Sequence, residues 1–220
     1  MSPMQNQPKK PKNSIRFNIT LNEEQKAAKE KILQSKVSFL KGQAGSGKSL
    51  LAAQIALDLL FKKDVKKIIL TRPAVTAGEE IGFLPGDKDA KLAPYTAAIY
   101  DNMYMLYNKE KIDKEISEGN IEVIPIGFMR GRNFSDCCVV IDESQNITQN
   151  QLELIITRLC VGAKMVFVGD NSQIDLKDKR LSGFDWLSKK LSFVEGVSVI
   201  SLKTNHRDPI VEEILKVLND

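Results

Sequence analysis

Gly42-Gln43-Ala44-Gly45-Ser46-Gly47-Lys48-Ser49 fits the pattern GxxxxGK[ST], with the apolar run VSFLK before it and the helical run SLLAAQIALDLLF after it. Glycines there let the backbone curl so that several N–H groups point inward, and a helix starting at the loop adds positive potential at its first turn. Such a loop cradles nucleotide phosphates. Gly42, Gln43, Ala44, Gly45, Ser46, Gly47, Lys48, Ser49 and Leu50 are therefore candidate nucleotide-binding residues. Lys48 would reach the β- and γ-phosphates, and the Ser49 hydroxyl would ligate Mg²⁺.

A second constellation is the apolar strand CCVVID, which ends in Asp142 and Glu143. A carboxylate at a strand end beside a phosphate loop can hold the water shell of Mg²⁺, and a neighbouring carboxylate can deprotonate an attacking water. The expected metal residues are Ser49 and Asp142, and Glu143 is the expected catalytic base. A Glu in that place favours transfer to water, hence hydrolysis, over the transfer to a substrate hydroxyl that a small-molecule kinase performs. Strand KMVFVG ends in Gly169-Asp170, with Gln173 three residues on, where a polar side chain can sense a γ-phosphate. Arg207, in the segment after VSVISL, could stabilise charge developing in phosphoryl transfer, or could simply flank a helix before Asp208-Pro209. Lys48, Glu143, Gln173 and Arg207 form the catalytic candidate set.

The elements that must position these groups read as short apolar runs alternating with helical ones. Strands are expected at 37–41, 66–71, 121–125, 137–142, 164–169 and 197–202, and helices from Asn22, after the phosphate loop, and near 149–160, 184–191 and 208–218. Asn22 with Gln25 three residues on has capping-box spacing. This alternation predicts an α/β fold with a parallel sheet covered by helices on both faces. Residues 72–120 read as a long connection with one or two helices of its own, and residues 1–15 as a mobile basic tail ahead of a single ATPase domain over 16–220. Tyr100, Tyr104 and Tyr107 fall at i, i+4 and i+7. With Tyr95 they could stack bases, although such a stripe more often packs.

The chain has 220 residues, 32 Lys and Arg against 28 Asp and Glu, three Cys and one His. Lys9, Lys10, Lys12 and Arg16, with no acid among them, carry the whole excess of +4, so bulk charge gives no case for a nucleic-acid surface on the folded body. Cys137, Cys138 and Cys160 have neither disulfide nor zinc spacing, and a lone His206 excludes metal sites that need two histidines. No apolar run long enough for a membrane span and no leader-like start are visible, which points to the cytoplasm and no membrane partner.

In their order, LNEEQ (21–25), GQAGSGKS, TRPA (71–74), VVIDESQN (139–146), GDNSQ (169–173) and TNHRDP (204–209) resemble the first motor domain of superfamily 1 helicases. The chain is more closely similar to PhoH-like ATPases, which carry TRP…GE.IG.LPG, an RGR stretch and DE.QN on one such domain. Here these are Thr71-Arg72-Pro73, the run from Gly78 to Gly86, Arg130-Gly131-Arg132 and Asp142 to Asn146. Ser144 stands where helicases more often have Ala. The resemblance covers residues 20–215 and implies a RecA-like P-loop NTPase that hydrolyses ATP with Mg²⁺. RNA helicase activity is associated with some fused members.

The same resemblance implies that Gln25 contacts the adenine edge. It makes Arg72, Arg130 and Arg132 candidates for nucleic-acid phosphates, or for a neighbour's nucleotide in the case of the last two. It also implies coupling to single-stranded RNA, ahead of DNA. With room for one motor domain, a homo-oligomeric ring, hexameric by the same resemblance, would present Arg207, Arg132 or Arg180 across each seam. The competing reading is an ATP-dependent protein-interaction switch built on the 72–94 loop, with a small-molecule kinase and a nuclease behind it.

Overall fold

Six apolar runs pair side by side in one direction. They are β1 (Val37–Gly42), β2 (Lys67–Thr71), β3 (Ile121–Val123), β4 (Cys137–Ile141), β5 (Lys164–Gly169) and β6 (Val197–Leu202), in the spatial order β3-β2-β4-β5-β1-β6 with every pairing parallel. The structure is a computed structural model and describes residues 15–73, 97 and 99–219. The helices are α1 (Glu23–Gln34), α2 (Lys48–Phe61), α3 (Lys109–Ser117), α4 (Gln149–Ile156), α5 (Phe184–Leu191) and α6 (Pro209–Asn219), with residues 99–106 also helical.

Alternate strand residues feed two cores. Leu40, Ile68, Leu70, Val140 and Val168 face α1, α2 and the 99–106 helix. Phe39, Ile69, Val139, Ile141 and Phe167 face α4 and α5. The sheet is thus covered on both sides, as the near-continuous apolar strands require. Helix α2 is buried on almost every side from Leu51 to Leu60, which explains its lack of a polar face. On the other face Phe39 stacks on Phe167 at 5.0 Å and tilts against Phe184 at 6.1 Å.

Parallel pairing puts all strand ends along one edge. Thr71 lies beside Ile141, Ile141 beside Phe167, Lys41 beside Gly169 and Gly42 beside Leu202. The segments that leave this edge carry the phosphate loop, Arg72, Asp142, Asp170 and Arg207. The expected capping box forms: Gln25 N–H donates to Asn22 Oδ1 at 2.8 Å, and Asn22 N–H to Gln25 Oε1 at 3.2 Å.

The helix over 99–106 stops before Tyr107, and a separate helix α3 starts where the Asn108 side chain accepts from Lys111 N–H at 2.9 Å. The tyrosine stripe is packing: Tyr107 lies 4.9 Å from Phe61 and 5.9 Å from Phe17, and Tyr104 donates its hydroxyl to Asp113 at 2.7 Å. Tyr95, the 1–14 tail and most of the 72–94 loop lie outside the described residues.

Phe167→Ala empties the centre of the second core. It should cost about 3–5 kcal/mol, read as a lowered urea midpoint.

Candidate functional site

The loop between β1 and α2 is wedged between two neighbours, which is why its glycines cannot be exchanged. Gly45 and Gly47 take φ of +85° and +77°. A Cβ on Gly45 would stand 2.5 Å from Asn205 Oδ1 and 2.7 Å from Arg207 Cγ, and one on Gly47 would stand 2.8 Å from Gln25 Nε2. His206 N–H donates to the Gly45 carbonyl at 2.9 Å, so the segment after β6 is tied to the loop. On the other side, Gln25 Nε2 donates to the Ser46 carbonyl at 3.4 Å and lies 3.3 Å from His206 Nε2. Helix α2 then begins without a side-chain cap, leaving first-turn N–H groups for an anion. Lys48 Nζ folds back onto the Gln43 carbonyl at 2.8 Å. Burial pushes its pKa down against the pull of Asp170, Glu143 and Asp142.

Opposite the loop, Ser49 Oγ donates to Asp142 Oδ1 at 2.9 Å. Burial pushes the Asp142 carboxyl up, and adjacent Glu143 adds to the shift. Glu143 takes φ of +51°, a left-handed turn that swings it away from the strand direction. Each of its oxygens has a partner: Arg72 Nη2 at 3.3 Å from Oε1, and Gln145 Nε2 donating to Oε2 at 2.6 Å. Gln145 is fully buried and also donates to the Gln173 carbonyl at 3.0 Å while accepting from Asp170 N–H at 3.0 Å. One amide thus fixes Glu143 to the turn after β5.

These groups line a cavity of about 320 Å³ that includes Ala44, Gly45, Gly47, Lys48, Ser49, Leu50, Asp142, Glu143, Asp170, Gln173 and Arg207. A second cavity of about 520 Å³ lies behind Glu143 and Gln173, bounded by Arg72, Pro73, Asn146, Ser172 and Asp175. The four catalytic candidates from the sequence therefore share one cavity. The oxygen-only pair Ser49 and Asp142, with a carboxylate whose burial calls for a compensating cation, fits Mg²⁺, which takes one or two protein oxygens and keeps water and phosphate oxygens for the rest.

Some candidates stand elsewhere. Arg132 pairs with Glu122 at 3.4 Å and lines a cavity with Lys66, Lys67 and Cys137 at the starts of β2 and β4, the opposite sheet edge from the phosphate loop. Arg130 is exposed and lines neither the phosphate cavity nor the one behind it. Arg180 is exposed and engages Asp178 through Nε and Nη2, both at 2.9 Å. Four site residues carried no assignment from the sequence: Gln145, Asp170, His206 and Asn102. Gln145, Asp170 and His206 sit inside motifs already noted, but Asn102, which also lines the phosphate cavity, comes from a stretch without a motif.

The profile of the PhoH-like protein family matches residues 19–219. The chain belongs to the PhoH-like family. It is similar to a PhoH-like protein of Synechocystis sp. (42% identical over 182 residues, covering 82% of this chain and 56% of that one). It is also similar to protein PhoH of Escherichia coli (36% identical over 175 residues, 77% and 49%). The PhoH-like chain thus spans about half the length of these relatives. Among solved structures, the large terminase of a thermophilic bacteriophage superposes with a TM-score of 0.57 at 9% identity, covering 90% of this chain and 50% of that one. The PhoH-like chain has the RecA-like α/β fold of P-loop NTPases. Among the described residues, no helix is long and apolar enough to cross a membrane.

Gly45→Ala forces a left-handed backbone on an L-residue and a clash with Asn205 and Arg207. A loss of at least about 1–2 kcal/mol in chemical unfolding is expected, with no such loss for Gly127→Ala, where a Cβ meets open space.

Proposed function

We propose that this chain is a Mg²⁺-dependent ATP hydrolase, one ATPase domain over 16–220, that couples hydrolysis to single-stranded nucleic acid, RNA ahead of DNA. The observation that carries the proposal is the position of Glu143. It lines the phosphate cavity and the cavity beyond it, and in the second it meets Arg72 at 3.3 Å.

In this reading the loop amides, the start of α2 and Lys48 bind the β- and γ-phosphates, and Gln25 reads the adenine edge. Glu143 accepts a proton from water as the water attacks the γ-phosphorus. The bond to the β,γ-bridging oxygen breaks, leaving ADP and phosphate. Gln173 and Arg207 lie where they can stabilise the transferring group, and Arg207 lines its own chain's cavity, so it acts in cis. Bound Mg²⁺ would neutralise phosphate charge. Arg72 can pair with Glu143 or with a phosphodiester, and the polynucleotide that takes Arg72 releases one oxygen of the base. Family resemblance supports a homo-oligomeric ring, hexameric in this reading, whose seams would be open to Arg132 and Arg180, both remote from the cavity of their own chain.

Glu143→Gln should bind ATP as tightly as wild type and lose about 10²–10⁴-fold in kcat, whereas Lys48→Ala should lose binding itself, both read by fluorescent-nucleotide titration beside phosphate release. Wild-type turnover in Glu143→Gln would refute the assignment of the base. Phosphate release by wild type should rise with added single-stranded RNA at low salt. Arg72→Ala should bind RNA more weakly, its plot of log affinity against log salt shallower by about 1. Rates indifferent to RNA and single-stranded DNA would leave an ATPase without the coupling.

A further inference from the structure

Gln145 sits two residues beyond Glu143, in the short turn 144–146, and is fully buried. Glutamine is mostly a surface residue, and a buried amide costs free energy unless its groups are paired. Here they are paired. The side-chain nitrogen donates to Glu143 Oε2 at 2.6 Å and to the Gln173 carbonyl at 3.0 Å, and Oε1 accepts from Asp170 N–H at 3.0 Å. A Cβ on Gly169 would stand 3.0 Å from that Oε1, so the end of β5 lies hard against the amide.

Two of these bonds fasten the turn after β5. Asn146 fastens it again, donating to Asp175 Oδ2 at 3.2 Å and accepting from Asp175 N–H at 2.7 Å. Residues 170–175 are therefore held to residues 143–146 as one unit. The bond to Glu143 is of another kind. It is the shortest of the set, and its acceptor is a carboxylate that lines the phosphate cavity. Hydrogen bonds to carboxylates are shorter and about twice as strong as those between neutral groups. An apolar side chain of the same shape could pack in this place, but it could hold neither the carboxylate nor the turn.

We propose that Gln145 is a positioning residue for ATP cleavage: its carboxamide holds the Glu143 carboxylate and the turn that carries Gln173 in one fixed relation, so a single side chain sets both the base and the group that faces the γ-phosphate. This rests on the reading that Glu143 takes the proton of the attacking water. Gln145 is not among the residues that line either cavity, so it acts through Glu143 rather than on the substrate. A carboxylate without this donor is free to rotate away from the water, and a misplacement of about 1 Å costs on the order of 10²-fold in rate.

The test is the rate of ATP cleavage in a single turnover of the full chain, beside titration with a fluorescent ATP analogue. Gln145→Met keeps the length of the side chain and removes both donors. It should slow cleavage about 10²-fold with nucleotide affinity unchanged. Made in a Glu143→Gln chain, the same change should slow cleavage no further, because the group it acts through is already lost. Gln145→Glu keeps the shape and the acceptor for Asp170 N–H while setting a second carboxylate against the first. It should slow cleavage likewise, and it carries the test if Gln145→Met does not fold. Wild-type cleavage by these variants, where Glu143→Gln alone has lost turnover, overturns this inference alone. So does a further loss in the Glu143→Gln chain or a parallel fall in nucleotide affinity, the marks of a merely structural role. Wild-type turnover in Glu143→Gln overturns the proposed base and this inference together.

Discussion

Three carboxylates, Asp142, Glu143 and Asp170, face two cations, Lys48 and Arg207, across one partly buried cavity. That imbalance governs the site. Burial already pushes Lys48 down and Asp142 up, so each charge sits in surroundings that resist it. A triphosphate brought into such a cavity by itself meets an excess of negative charge. In the proposed function a divalent cation at the Ser49–Asp142 corner would reverse the balance, making nucleotide and metal one ligand in energetic terms. The same imbalance constrains Glu143. Its carboxylate lies beside Asp142, and Arg72 and Gln145 supply a donor for each of its oxygens.

The parallel sheet makes this crowding possible. Because all six strands run the same way, the segments that leave β1, β2, β4, β5 and β6 converge on one edge without any strand reversing. Close approach then depends on missing side chains. The loop's carbonyls at Gly45 and Ser46 are gripped from opposite sides, by His206 N–H and by Gln25, only because Gly45 and Gly47 have no Cβ to intervene. Gln25 is committed twice over, to the start of its own helix and to the loop. Helix capping and loop position are therefore one structural feature.

What could be read in the sequence was whatever is local. The phosphate loop, the Asn22–Gln25 cap and the Asp142–Glu143 pair each lie within a few residues, and six strands stood out by their apolar runs. Strand polarity, applied consistently, also separates the arginines. Arg72 and Arg207 follow strands and reach the working edge, whereas Arg132 precedes β4 and must start from the other end. Gln145 was not legible. Its role depends on a left-handed turn at Glu143 and on the turn after β5, neither of which a motif encodes. Asn102 was hidden for a similar reason: it reaches the phosphate cavity only where a helix about 30 residues beyond β2 packs back over the strand end.

The most direct measurement is a crystal structure of the full chain with Mg²⁺ and a nonhydrolysable ATP analogue. The triphosphate should lie along the amides of residues 44–49, its terminal phosphorus within reach of Lys48 and Arg207, with a water between it and Glu143. Density for the triphosphate in the Arg72–Asp175 cavity or on the β3 edge beside Arg132 would contradict the account.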